Sequence, residues 1–154
     1  SGRGYGISCG IDAETYVAAM AEVAVDRQSG GIEVKRVVCA QDMGHAVNPQ
    51  GATLQMEGCI TMGLGYALTE EVRFSNGKLL DVNFDTYQIP RFSQVPQIET
   101  VLVKNEALAP KGGGEPAVIC MGGVLATAVH DAEGAVVRQL PMTPERVKEA
   151  IGAG

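Results

Sequence analysis

The sequence has little aromatic content and no basic cluster. Among its 154 residues there are no tryptophans and only three phenylalanines. A surface that stacks nucleic-acid bases needs aromatic side chains, so this scarcity argues against that class of binding. The 12 lysines and arginines are scattered among 18 acidic residues, and the formal net charge is −6. We therefore expect neither nucleic acid nor an anionic membrane as a partner.

The cysteines show no metal-binding or redox spacing. They are far apart in the sequence: Cys9, Cys39, Cys59 and Cys120. Without a C-x-x-C pair, a zinc knuckle and a thioredoxin-type motif are excluded, and we expect reduced, mostly buried thiols. His45 and His130 are isolated, and we expect no metal role for either. No apolar run reaches the ~18 residues of a membrane span, and no signal peptide is recognisable, so neither is expected.

The most informative stretch runs from Ala109 to Ala117 and reads APKGGGEPA. Three consecutive glycines suit a loop whose backbone takes positive φ or lies flat against another group. Pro116 suits the first turn of a helix. The apolar residues that follow predict a buried helix over 117–132, with Glu115 at its N-terminus, where the helix dipole favours a charged carboxylate. The alternative is a surface loop with a helix-capping acid.

A second glycine-bearing helix is predicted over residues 50–70. Five residues recur at helical spacing and share one face: Gly51, Gln55, Gly58, Met62 and Gly65. Gly58, Gly63 and Gly65 each cost about 1 kcal/mol relative to alanine inside a helix. We therefore expect another backbone or a ligand to approach this face closely. The Gln55 amide can donate and accept there, although a helix crossing in which backbone groups satisfy it is the alternative.

The remaining patterns predict short strands and turns. Strands are expected at residues 3–9, 15–26, 32–40, 98–103 and 135–140. Alternation places Val17, Ala19, Ala21, Val23 and Val25 on one face of the second strand. Asn76-Gly77 predicts a hairpin joining 72–74 to 78–82, and Thr143 is the expected N-cap of a short exposed helix. The expected fold class is α+β, with antiparallel strands and hairpins packed against two glycine-bearing buried helices.

Five stretches resemble, in order and spacing, the molybdopterin-binding large subunit of the molybdenum hydroxylases. They are NP with QMEG within 48–58, GLGYALTEE at 63–71, NFDTYQIP at 83–90, KGGGEP at 111–116, and AVHDAEG with LP within 128–141. The family includes xanthine dehydrogenase, aldehyde oxidoreductase, carbon monoxide dehydrogenase and isoquinoline 1-oxidoreductase. The chain is most similar to the isoquinoline and bacterial aldehyde oxidoreductase branch. Residues 1–154 are therefore expected to form the C-terminal part of the molybdopterin-binding domain, as a fragment of a longer chain.

The resemblance also implies a site. Glu115 would be the general base in hydroxylation of an electron-poor carbon, in an aldehyde or an aromatic N-heterocycle, by water-derived oxygen. Gln55 would contact the pterin, and the loop residues Gly112, Gly113 and Gly114 would lie beside the molybdenum, with no metal ligand from the protein. The family usually has a larger residue at the position of Gly113, which implies a looser loop here.

The implied cofactor is the molybdenum cofactor, as molybdopterin or molybdopterin cytosine dinucleotide. Implied partners are the rest of the large subunit, a small-molecule substrate and a subunit or domain that carries [2Fe–2S] clusters. Other pterin contacts come in this family from upstream segments. We therefore expect this chain alone to be inactive and to bind the cofactor weakly or not at all.

Two other functions remain open from the residues alone. The loop could cradle a phosphate or nucleotide, although Lys111 precedes the glycines and no Lys-Ser/Thr pair follows them, unlike the G-x-x-x-x-G-K-[ST] pattern. The chain could instead be a structural assembly module whose glycine-bearing helix packs against a partner. In that case Gly58→Leu would disrupt assembly and Glu115 would be irrelevant.

Overall fold

The computed structural model describes residues 2–152, so only residues 1, 153 and 154 of the expected domain lie outside the described part. Six strands and three α-helices follow one another along the chain. They are β1 (Gly2–Asp12), β2 (Thr15–Val25), β3 (Ile32–Asp42), α1 (Pro49–Leu68), β4 (Phe74–Ser75), β5 (Lys78–Leu79), β6 (Gln97–Leu102), α2 (Met121–Glu133) and α3 (Pro144–Gly152). The α+β prediction is confirmed.

The main sheet has four strands in the order β1-β2-β3-β6. The predicted buried face of β2 is confirmed, because its five residues are all at most 3% exposed: Val17, Ala19, Ala21, Val23 and Val25. β2 and β3 form an antiparallel hairpin, as the alternating segments 15–26 and 32–40 predict, and β1 also pairs antiparallel with β2. β6 differs, since it pairs with β3 in parallel after a long crossover through α1.

Glycines in β1 allow α2 to lie directly on the sheet. A Cβ built on Gly4 would meet the backbone oxygen of Ala128, and one on Gly6 would meet that of Val124. The alternate glycines of this strand therefore reflect close contact between a helix backbone and a strand backbone. Val124, Leu125, Ala128 and Val129 of α2 are fully buried in the resulting core.

Two predictions around α2 are wrong. Residues Pro116–Val118 form a 3₁₀ turn, in which the Val118 amide donates to the Glu115 oxygen at 2.9 Å, and the α-helix begins only at Met121. Glu115 therefore precedes a 3₁₀ turn and does not lie at the N-terminus of the buried α-helix. Residues 135–140 form no strand; after the left-handed cap at Gly134 they run to α3 without ladder pairing.

The turn and helix-start signals elsewhere are confirmed. Asn76 and Gly77 have φ of 50° and 76°, as a type I′ hairpin turn requires, although β4 and β5 contain only two residues each. Thr143 accepts a hydrogen bond from the Arg146 amide at the start of α3. This helix is not wholly exposed, because Val147 is fully buried. Among the residues described, no helix has both the length and the apolar content needed to span a membrane.

Candidate active site

The glycine loop is attached to the ends of three strands. The Lys111 amide donates to the Met43 oxygen at 2.8 Å, and the Gly112 amide donates to the Ala13 oxygen at 3.2 Å. The Thr15 hydroxyl donates to the Gly112 oxygen from the start of β2. These bonds place the loop beside the β1–β2 turn and the end of β3, so its first half is held by the sheet.

The β1–β2 turn that holds the loop is itself strained. Ala13 and Glu14 have φ of 47° and 63°, a region that non-glycine residues rarely occupy. A two-residue hairpin turn of this kind normally has Asn-Gly. Glu14 also forms an ion pair with Lys111 at 3.1 Å. Backbone strain of this kind persists only where surrounding contacts stabilise the strained conformation. Here those contacts are the ones that Ala13 and Glu14 make with the glycine loop.

The three glycines of the loop have different surroundings. None of Gly112, Gly113 and Gly114 has a positive φ, so that part of the expectation is wrong. A Cβ on Gly112 would collide with the Ala13 side chain, and one on Gly113 would collide with the Met43 side chain. Gly114 has nothing within 4 Å of its Cβ position. Close packing against Ala13 requires the first glycine, whereas the flexible end of Met43 could move aside for a side chain at the second, and nothing in the chain itself requires the third.

Helix α1 contacts the loop through Gln55. The Gln55 Nε2 donates to the Gly114 oxygen at 2.7 Å, across 59 positions of sequence. The Cys59 thiol donates to the same oxygen at 3.0 Å. The structure thus brings Gln55 next to the peptide that leads to Glu115, whose side chain is exposed. The sequence predicts Cys59 only as a buried core residue, and its position four residues after Gln55 is the one local signal of this contact.

The glycine face of α1 is open at Gly58. A Cβ on Gly58 would meet nothing within 4 Å, so no backbone packs there, contrary to one of the two expected explanations. Two other glycines of this helix pack inside the molecule, Gly63 against Met121 and Gly65 against Pro90 and Glu70. Gly58 and Gly114 are both adjacent to Gln55, and neither is required by internal packing. Their bare backbone leaves room for a flat group beside the Gln55 amide.

A shallow cavity of about 330 Å³ lies where α1 begins and the loop passes over it. Its wall includes His45, Asn48, Gln55, Gly113 and Gly114. A larger cavity of about 510 Å³ lies between β3, α1 and residues 90–97, and it contains none of the predicted site residues. We place the candidate site at the smaller cavity, because Gln55, Gly113 and Gly114 line it. Gly112 and Glu115 are not among its lining residues.

Two buried polar side chains, Gln41 and Cys59, lie close to the glycine loop. Gln41 is fully buried at the end of β3, and its Oε1 has no hydrogen-bond partner among residues 2–152. Burial raises the pKa of the Cys59 thiol; a hydrogen bond from Gln55 opposes the rise, and the negative charge of Glu115 adds to it. The thiol therefore stays protonated at neutral pH and remains a donor. Among the described residues, no three His, Cys, Asp or Glu side chains form a group that could hold a metal ion.

Comparison with known proteins identifies relatives of both sequence and fold. Residues 8–96, more than half of the chain, match the sequence model of the family described as the molybdopterin cofactor-binding domain. A nicotinate dehydrogenase subunit of Pseudomonas putida is 35% identical over 137 residues, which are 89% of this chain and 12% of that protein. The beta subunit of isoquinoline 1-oxidoreductase of Brevundimonas diminuta is 36% identical over 93% of this chain and 18% of its own length.

Solved structures agree with these sequence matches. Quinoline 2-oxidoreductase from Pseudomonas putida 86 superposes with a TM-score of 0.82 at 29% identity, covering 90% of this chain and 19% of that one. The aldehyde oxidoreductase from Desulfovibrio desulfuricans ATCC 27774 gives a TM-score of 0.77 at 30% identity, covering 88% and 15%. The chain thus spans less than a fifth of the length of each of these four relatives.

Proposed function

Because the chain belongs to the molybdopterin cofactor-binding domain family, we propose that it is the C-terminal part of the catalytic subunit of a molybdenum hydroxylase. The parent enzyme would hydroxylate an electron-poor carbon of an aldehyde or aromatic N-heterocycle with water-derived oxygen. The names of the relatives support this substrate class, since they refer to nicotinate, isoquinoline, quinoline and aldehydes.

One observation carries the site assignment. The hydrogen bond from Gln55 Nε2 to the Gly114 oxygen, 2.7 Å long, joins two motifs that lie 59 positions apart. It places the amide proposed for cofactor contact against the peptide that precedes the proposed base, Glu115. A surface of this kind, with an amide, bare glycine backbone and one exposed carboxylate, is suited to a flat polar ring on one side and a reacting atom on the other.

The molybdenum cofactor, as molybdopterin or its cytosine dinucleotide, would supply two-electron oxidation of the substrate carbon. Gln55 would hydrogen-bond an edge of the pterin, and the glycine loop would let the group approach the backbone. Gly114 offers the open position, because Gly112 and Gly113 are already packed against the chain. Electrons would leave through [2Fe–2S] clusters on a partner subunit or domain.

Glu115 would act as the general base. Its carboxylate stands at the end of the loop, exposed, where it can accept a proton from the oxygen that attacks the substrate. A positioned base of this kind contributes about 10²–10⁴-fold to a rate. The α-helix begins only at Met121, so we assign the placement of Glu115 to the loop contacts and not to a helix dipole.

The test is Glu115→Gln in the full-length parent. An amide of nearly the same shape cannot take a proton at neutral pH, so turnover should fall by about 10²–10⁴-fold while molybdenum and pterin content stay unchanged. Glu149→Gln makes the same change on the exposed side of α3 and should leave turnover intact. Wild-type turnover by Glu115→Gln would refute the assignment of the base.

The observations favour a molybdenum hydroxylase over the two alternatives, a phosphate-binding or nucleotide-binding module and a structural assembly module. A phosphate-binding loop gains most of its affinity from a helix N-terminus directly after the glycines, and here a 3₁₀ turn follows instead. An assembly module would use the open face at Gly58. Parent protein carrying Gly58→Leu that assembles normally but loses cofactor would support the enzyme, whereas lost assembly with cofactor retained would favour the module.

A further inference from the structure

A single carbonyl group at the end of the glycine loop accepts two hydrogen bonds from one helix. Gln55 Nε2 lies 2.7 Å and Cys59 Sγ lies 3.0 Å from the Gly114 oxygen. The two donors are one helical turn apart and lie 3.9 Å from each other. A carbonyl oxygen has two lone pairs, and this pair of donors can occupy both.

We propose that Cys59 is a positioning residue, which holds the Gly114–Glu115 peptide in place for the side chain of Glu115. This inference rests on the proposed role of Glu115 as the base. A peptide group is planar, so fixing the oxygen of Gly114 also fixes the direction of the following amide and the Cα of Glu115. The loop needs such a restraint there, because the Cβ position of Gly114 has no neighbour within 4 Å.

The two donors differ in exposure to solvent, and this difference gives Cys59 a role that Gln55 cannot fill. Gln55 is exposed and lines the cavity, so its amide can exchange the bond to Gly114 for a bond to a bound ligand. Cys59 is only 5% exposed, and its thiol is shielded from that exchange. When Gln55 turns toward a ligand, Cys59 keeps one hydrogen bond on the Gly114 oxygen and so keeps Glu115 in place.

Filling the core is the competing explanation for a buried cysteine, and the chain offers a matched control for it. Cys39 is fully buried in β3, and no hydrogen bond to its thiol is present among residues 2–152. Cys39→Ala therefore also removes one buried sulfur atom from the core, but it removes no hydrogen bond to the loop. Cys59→Ser keeps a hydroxyl donor on the same Cβ and serves as the conservative variant.

The first measurement is hydrogen–deuterium exchange of the parent enzyme, followed in peptides that cover residues 109–116. The amides of Lys111 and Gly112 bond to Met43 and Ala13, so their exchange reports opening of the loop. Cys59→Ala and Gln55→Ala should each raise this exchange rate about threefold. The double variant should exceed the product of the two, because only then is the carbonyl left without either donor. Cys39→Ala should leave the rate unchanged.

The second measurement is the pH profile of the parent enzyme. Cys59→Ala should lower kcat about tenfold, with KM unchanged, and should displace the low-pH limb of kcat/KM, because a misplaced base loses both its geometry and its surroundings. Cys59→Ser should recover most of the loss, and Cys39→Ala should behave as wild type.

The outcomes separate the two proposals. Equal loop exchange in Cys59→Ala and Cys39→Ala would overturn the positioning role, as would an unchanged pH profile in Cys59→Ala. Full turnover by Glu115→Gln would instead overturn the proposed base. In that case the exchange data would still decide whether Cys59 holds the carbonyl.

Discussion

At the scale of single residues, Gly58 and Gly63 lie in the same helix but have opposite surroundings. Gly58→Ala should stabilise the isolated chain by about 1 kcal/mol, because alanine favours the helix and the new Cβ meets nothing. Gly63→Ala should destabilise it, because the new Cβ would lie 2.7 Å from that of Met121. Urea unfolding of both variants checks the signs, and a stabilised Gly63→Ala would contradict this packing.

The four thiols should differ sharply in reactivity. Cys9 is exposed on β1, whereas Cys39, Cys59 and Cys120 are buried. Burial raises the pKa of Cys39 to about 12, and thiolate is the reactive form. One thiol per native chain should therefore react rapidly with Ellman's reagent, and four should react after denaturation. Rapid reaction of one equivalent in Cys9→Ser would show that a second thiol is accessible.

The raised pKa of Cys39 has a consequence for stability. A thiol whose pKa is higher in the folded state than in the unfolded state favours folding fully below the unfolded value. That contribution should decline as pH rises from about 9 toward about 12. Comparing urea unfolding of wild type and Cys39→Ala across this range isolates the contribution.

At the scale of elements, the β4–β5 hairpin depends on one buried carboxylate. Hydrogen bonds from the Arg73 side chain and then from the Arg73 amide lower the pKa of Asp81 to about 2, although burial acts in the opposite direction. Because the folded pKa is lower than the unfolded one, the stabilisation is present above about pH 4 and is lost as pH falls toward 2.

Acid titration tests this element directly. The Leu80 amide, which donates to the Arg73 oxygen at 2.9 Å, should lose protection from hydrogen exchange between about pH 4 and pH 2. Asp81→Asn should weaken the hairpin at neutral pH and remove this pH dependence. Asp85→Asn, an exposed control nearby, should keep it. Unchanged protection of Leu80 at pH 2 in the wild type would contradict the role of the Arg73–Asp81 pair.

The elements also differ in how far local sequence determines them. Local sequence does not determine the start of α2, because Pro116, Ala117 and Val118 suit a 3₁₀ turn and an α-helix equally well, and 3₁₀ turns are common at helix ends. Residues 135–140 have the composition of a strand, but the chain there leads directly to α3, where the Met142 amide bonds to Ala67. Pairing partners, and not composition, decide whether such a segment is a strand.

At the scale of the whole molecule, the cavity beside the glycine loop is shallow. Ligand sites usually bury about 70–90% of the bound molecule, and we expect a cavity this shallow to leave much of a pterin exposed. The isolated chain should therefore retain little or no molybdenum cofactor after gel filtration, as measured by metal analysis beside the parent enzyme. Stoichiometric retention by the isolated chain would contradict this expectation.

The outer face of the main sheet also suggests that further protein covers this chain. Tyr5, Ile7, Ile11, Tyr16 and Met20 point away from the core and are each more than half exposed. An apolar surface of this extent is unusual on the solvent side of an antiparallel sheet. It supports the proposal that the chain is part of a larger subunit, which also accords with the small share of each relative that it covers.

Features that depend on neighbouring residues could be predicted from the amino-acid sequence. The two-residue period of β2, the Asn76-Gly77 turn and the Thr143 cap are local patterns with local causes, and all three are present in the structure. The order of the motifs also indicated the family. Only tertiary packing determines the parallel placement of β6, the contact of Gly112 with Ala13 and the two donors on the Gly114 oxygen. These features join segments far apart in the chain, and no local pattern records which distant backbone or thiol will lie beside a residue once the core has packed.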